Sequence, residues 1–167
     1  GLLATSGEMR SEAEATYRQL LRERPDQDIY EELGTVLMAQ RRYDDATAAF
    51  RSAKRPLLAG RTLFLTGRFD EARTTVNAVL AEQRSAAALV LKANVELFGF
   101  IDLDAAHRAI SQLTPSELME DEAAGIAVRL AVLRRDPARL GKLLEAFSHA
   151  FVVLSTVTPG FSYHSYD

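Results

Sequence analysis

Three histidines, one acidic run and a scatter of arginines are the side chains of this 167-residue chain that could transfer protons, hold a metal or recognise charge. His107, His149 and His164 stand far apart. None lies in an H-x-x-x-H or H-E-x-x-H frame, the spacing that puts two imidazoles on one helical face for a metal. Glu117, Glu120, Asp121 and Glu122 form the one acidic cluster. A hard cation wants several converging oxygens, and with no second cluster these carboxylates read as the solvated first turn of a helix, where they suit the helix dipole. The chain has no glycine-rich phosphate loop and no G-x-S-x-G elbow. With no cysteine there is no thiolate nucleophile, disulfide or Cys-ligated metal. No catalytic residue, cofactor or metal is expected, and the class of chemistry left is binding.

Composition sets the outer bounds. Apolar residues at 47% and charged residues at 26% are ordinary for a folded domain, and few glycines and prolines favour helices. A net charge of −3 supplies no global basic field for nucleic acid or a membrane surface. No apolar run is long enough to span a bilayer, and no charged region followed by an apolar core is visible near Gly1, so no signal peptide is expected within this sequence. Because Gly1 is not Met, the chain is expected to be a processed or excised piece. Compartment is left open, with the cytoplasm favoured, and so is the oligomeric state.

The elements that would position a binding face are helical. Tyr30, Leu33, Gly34 and Leu37 fall at three- and four-residue steps, so they share one helical stripe; Ala46, Phe50 and Ala53 do the same on a second. The polar run Gln40–Arg42 between them is short enough for a tight antiparallel pair. Gly34 and Ala46 are small where two helices would cross closely, and Phe50 is large where a gap would be filled. The order aromatic, two residues, Leu-Gly, two residues, Leu, then Ala, three residues, Phe, resembles the tetratricopeptide repeat, with Leu37 in place of the second aromatic. The resemblance implies an all-α, right-handed α-solenoid of about four helix-turn-helix repeats.

Along the chain, Ser11 with Glu14 fits a capping box for a first helix that ends at Arg24-Pro25, and Ala13, Tyr17 and Leu20 repeat the second half of the motif. Gly67-Arg68-Phe69-Asp70-Glu71-Ala72 parallels Arg41-Arg42-Tyr43-Asp44-Asp45-Ala46, but Ala72 follows Ala46 by 26 residues where the repeat takes 34. Either the junction near Arg55-Pro56 is abrupt or a loop is missing. From Ala72 the period is regular, through Ala106 to Leu140. Ser85 and Ser116 are candidate N-caps, and Asp136-Pro137 opens the last helix. The solenoid is expected over residues 1–155, with at least seven helices and no sheet between Ser11 and Phe147. Phe151–Val157 reads as a helix end or a strand. The aromatic tail 156–167 reads as a cap, the start of a further domain or a docking peptide.

By the resemblance, first helices of successive repeats line a concave groove that takes a protein or peptide. Alignment of the motifs places Thr35 and Met38, then Arg61, Phe64 and Leu65, then Lys92, Val95 and Phe98, then Arg129 on that surface, with Glu31, Leu58, Ile126 and Val132 among their neighbours. Whether the aromatics face the groove or the core stays open at this stage. Arg73 and Arg108 are read as outer-face residues. The carboxylate clamp of chaperone-binding members is not matched, because Glu31 would repel a carboxylate where that clamp has a lysine. The expected function is a scaffold that binds protein or peptide, without nucleic acid or membrane insertion. The alternative is a regulatory or substrate-recruiting module of a larger enzyme or transcription regulator.

Overall fold

The computed structural model describes residues 2–157, and side chains from 7 to 147. Among these residues every regular element is a helix. In order they are α1 (Leu2–Glu23), α2 (Gln27–Ala39), α3 (Tyr43–Ser52), α4 (Pro56–Leu65), α5 (Phe69–Glu82), α6 (Ala86–Asn94), a π-helical turn (Val95–Gly99), α7 (Leu103–Ile110), α8 (Pro115–Leu118), α9 (Asp121–Leu133) and α10 (Pro137–Val157). Each packs chiefly on its neighbours in sequence, as a solenoid requires. Among the described residues the pairs α2/α3, α4/α5, α6/α7 and α9/α10 form four helix-turn-helix repeats, and α1 packs on α2. None of the described helices is long and apolar enough to cross a membrane.

The core divides into three clusters. Leu33, Leu37, Ala46, Phe50 and Ala59 join α2, α3 and α4. Leu63, Ala72, Val76, Leu91 and Val95 join α4, α5 and α6. Val90, Leu97, Ile110, Ile126, Leu130 and Leu143 join α6, α7, α9 and α10.

The turn from first to second helix recurs with one geometry. Arg41, Gly67, Ile101 and Arg135 each adopt positive φ, between 53° and 74°. The next N–H returns to a carbonyl five residues back at 2.9 Å, from Arg42 to Leu37, Arg68 to Leu63 and Asp136 to Ala131. This turn satisfies carbonyls that the helix end leaves open. At Ile101 the bond from Asp102 reaches one residue further, to Glu96, because the helix there is in its π turn. The short second spacing is resolved the same way. α3 and α4 are each only 10 residues, and Lys54, also at positive φ, closes a tight turn between them, so the junction is abrupt and continuous.

Two expected caps are corrected. α1 runs unbroken through Ser11, whose hydroxyl donates to the Gly7 carbonyl at 3.1 Å, because nothing upstream interrupts the helix. Glu14, buried in mid-helix, instead accepts from Arg42 at 2.6 Å and pairs with Arg18 at 2.5 Å, which ties α1 to the start of α3. Burial opposes ionisation of Glu14, but hydrogen bonds from Arg42 and Gln40 and the two guanidinium charges outweigh it and hold its pKa below the usual carboxylate value. The helix expected from Ser116 to Leu133 breaks into α8 and α9, and its cap is Thr114, in a reciprocal capping box with Glu117. Pro115 takes the first helical position, where a missing donor does no harm, and so moves the cap to the residue before it. Ser85 does cap α6, accepting from Ala88 N–H. Phe151–Val157 is helical, as the end of α10. The cap reading of the tail falls on residues 158–167, outside the described residues.

Candidate functional site

The first helices α2, α4, α6 with its π turn, and α9 lie side by side, joined by rows of contacts that cross the repeats. At the start of the array, Arg55 of the α4 N-cap pairs with Glu31 of α2. Midway, Thr62 of α4 donates to the Met38 sulfur at 3.4 Å. Arg61 pairs with Glu122 of α9, which also accepts from Asn94 of α6 at 3.1 Å. That pair joins helices two repeats apart, so the array curves inward on this side by enough for two side chains to bridge it.

Further along the same helices lies an aromatic row. The Phe64 ring stands 6.2 Å from the Phe98 ring, tilted by 53°, within the range of a favourable aromatic pair. The Arg129 guanidinium lies 5.1 Å from the Phe98 centroid, in cation–π range. Phe64 also meets Phe69 of α5 at 5.9 Å, which anchors the row to the second-helix layer. Phe98 is 46% exposed, and Leu65, Val132 and Leu133 at the ends of α4 and α9 are more than half exposed. Arg129 makes no ion pair with any described residue. Exposed apolar side chains thus stand at the C-terminal ends of α4, the π turn and α9, with the Arg129 guanidinium beside the Phe98 ring.

The sequence expectations sort against this geometry. Phe64, Phe98 and Arg129 come together, with Leu65 beside them. Arg61 and Arg129 do not form one column: Arg61 is engaged with Glu122 in the row nearer the helix starts. Thr35 is exposed on α2, its hydroxyl bonded to the Glu31 carbonyl of its own helix at 3.1 Å, and Met38 is half-buried against the first core cluster. Two placements are corrected. Val95 is fully buried in the second cluster. It matches Arg61 in register, but Arg61 is long enough to carry its charge out to Glu122, whereas a short valine at that place stays in the core. Lys92 opens on the other side of α6, in a crevice shared with Arg73 and Arg108. Its counterpart Leu58 likewise packs toward the cluster containing Ala49 and Phe50. Glu122 and Asn94 were not anticipated as groove residues. Arg61 and Glu122 are far apart in sequence and only the curvature joins them, so no local spacing signals the pair. Leu133 was legible, since it repeats Leu65 at two full periods.

Among the described residues no group of three or more His, Asp or Glu side chains could hold a metal ion. The acidic run is split in use. Glu117 serves the capping box and binds Arg84, Glu122 binds Arg61 and Asn94, and the exposed Glu120 and Asp121 start α9. His107 is half-buried; burial, then the charges of Arg139 and Arg134, lower its pKa.

Residues 5–56 match the family model described as tetratricopeptide repeat, which covers α1 to the start of α4. No curated protein and no solved structure matches the chain.

Proposed function

We propose that this chain, an α-solenoid of tetratricopeptide repeats, is a binding scaffold that takes a peptide segment of a partner protein across the ends of α4, the π turn and α9. Tetratricopeptide repeats in general mediate protein–protein interaction. The observation that carries the more specific reading is Phe98: a large aromatic ring left nearly half exposed, supported from one side by Phe64 and overlain by Arg129, which has no ion pair with any described residue. Exposed apolar surface of this kind marks contact sites, and aromatic and Arg side chains dominate interface energetics. The segment that fits has apolar anchors at helical or alternate spacing and an acidic side chain placed to meet Arg129. The reading is of a scaffold without catalysis. Most arginines of the solenoid are already paired with carboxylates, among them Arg42, Arg55, Arg61, Arg68, Arg84 and Arg134, so little cationic field is left for nucleic acid.

The test is selection of displayed random peptides on the folded chain, with each recovered sequence re-measured on Phe98→Ala and Arg129→Ala. The reading expects enrichment of peptides with apolar anchors and an acid, and loss of binding in both variants. Peptides that bind the variants as well as the parent chain would place the ligand elsewhere.

A further inference from the structure

We propose that the crevice between α5, α6 with its π turn, and α7 is a second binding site, for an oxyanion carried on a partner's side chain, either a phosphoryl group or a carboxylate. The crevice has a volume of about 390 Å³ and lies on the side of α6 away from Phe98. Arg73, Lys92 and Arg108 reach it from three different helices.

Arg73 is held in place before any ligand arrives. Its Nε donates to Glu96 Oε1 at 3.1 Å and its Nη2 to Glu96 Oε2, a bidentate pair. The guanidinium plane lies over the Phe100 ring, 3.3 Å from its centroid. One edge and one face of the group are thereby occupied, and Nη1 is left for the crevice. Glu96 is 4% exposed, a buried carboxylate in the π turn. A buried ion pair is a poor source of net stability compared with apolar packing. What this pair does supply is a guanidinium of fixed orientation, with Nη1 left to donate a charge-assisted hydrogen bond to a carboxylate or phosphoryl oxygen.

The other two cations are uncommitted. Lys92 has no hydrogen bond or ion pair with any described residue. Arg108 is felt by Asp104, but the Asp104 carboxylate is bound by Arg134. The two acids of the crevice are both engaged, Glu96 by Arg73 and Asp102 by the Ala105 N–H at 2.8 Å as the cap of α7. The crevice therefore has an excess of positive charge and spare donors on three sides. A ligand oxyanion would neutralise that charge and take those donors.

The experiment is a titration of the isotope-labelled full chain, at fixed ionic strength, with inorganic phosphate, blocked phosphoserine and blocked aspartate. Saturable shifts are expected at Lys92 and Arg108 and at the Arg73 Nε–H. Lys92→Ala and Arg108→Ala should each weaken binding about tenfold, the scale of one lost charge-assisted hydrogen bond. Both should leave the fold intact, since neither side chain has a hydrogen bond or ion pair with any described residue; Lys92→Gln and Arg108→Gln keep the stems and repeat the test without loss of packing. Phe98→Ala should leave the titration unchanged, which separates this site from the proposed peptide site. Tighter binding of phosphate and phosphoserine than of aspartate assigns the site to phosphorylated partners, and comparable binding assigns it to acidic ones. Absence of saturable shifts with all three ligands, or shifts that survive Lys92→Ala and Arg108→Ala combined in one chain, overturns the proposal.

Discussion

The ring of Phe50 lies directly against Gly34: a methyl carbon placed on Gly34 would stand 2.6 Å from Phe50 Cε1 and 2.8 Å from Cδ1. The contact fixes how closely α2 and α3 approach, and it is the reason a glycine is tolerated in mid-helix.

A reversal of sign follows from it. Gly34→Ala gains up to about 1 kcal/mol of helix propensity but overpacks against a buried ring, at roughly 1–3 kcal/mol. Alone it should destabilise. Phe50→Ala should itself cost about 3–5 kcal/mol, since Phe50 is 4% exposed. In that background the obstacle is gone, and Gly34→Ala should stabilise. Denaturant midpoints of the two single variants and the double variant measure this; simple additivity would contradict the packing.

Ile101 is a β-branched residue at φ 56° with 79% of its surface exposed. A left-handed backbone costs roughly 1–2 kcal/mol for such a residue and nearly nothing for glycine. Ile101→Gly should therefore stabilise the fold by up to about 1 kcal/mol after glycine's greater unfolded-state freedom is subtracted, read as a higher denaturant midpoint. A lower midpoint would mean that the exposed side chain packs in solution.

Glu117 carries a pH dependence. Hydrogen bonds from Arg84, then from the Thr114 N–H, outweigh desolvation and lower its pKa from the usual 4.5 to about 2. A carboxylate depressed on folding contributes stability that is fully present above its unfolded pKa and is lost as pH falls through the folded one. Melting temperatures should thus separate parent chain from Glu117→Gln above pH 4.5, with the gap closing toward pH 2. A gap independent of pH would show that Glu117 acts by shape alone.

The fold was largely legible because Gly34, Ala46 and Phe50 are the residues whose sizes set the helix crossing, and size is visible in sequence. Junctions were less so. Ser11 looks like a cap only if a helix starts there, and nothing local says that one is already under way. At Thr114 the proline decides the cap, one residue earlier than Ser116 suggested. The exposed aromatic row was partly legible: the period that aligns Phe64 with Phe98 is real in space. It misplaced Lys92 and Val95 because register gives position along a helix, while the facing direction depends on side-chain length and on what packs around it. The π turn at Val95–Gly99 had no sequence signature, and it contains both the exposed Phe98 and the buried Glu96.

On the proposed function, Phe98 is a binding residue left exposed for a partner. The direct measurement is calorimetric titration of one selected peptide against the parent chain, Phe98→Ala, and Arg51→Ala as a control at an exposed position of α3. Phe98→Ala should weaken binding by about 2 kcal/mol or more, roughly thirtyfold, through faster dissociation, with the fold intact and only the small loss of stability that its contacts with Phe64 and Arg129 account for. Arg51→Ala should bind as the parent does. Unchanged affinity in Phe98→Ala, with the fold intact, would contradict the claim.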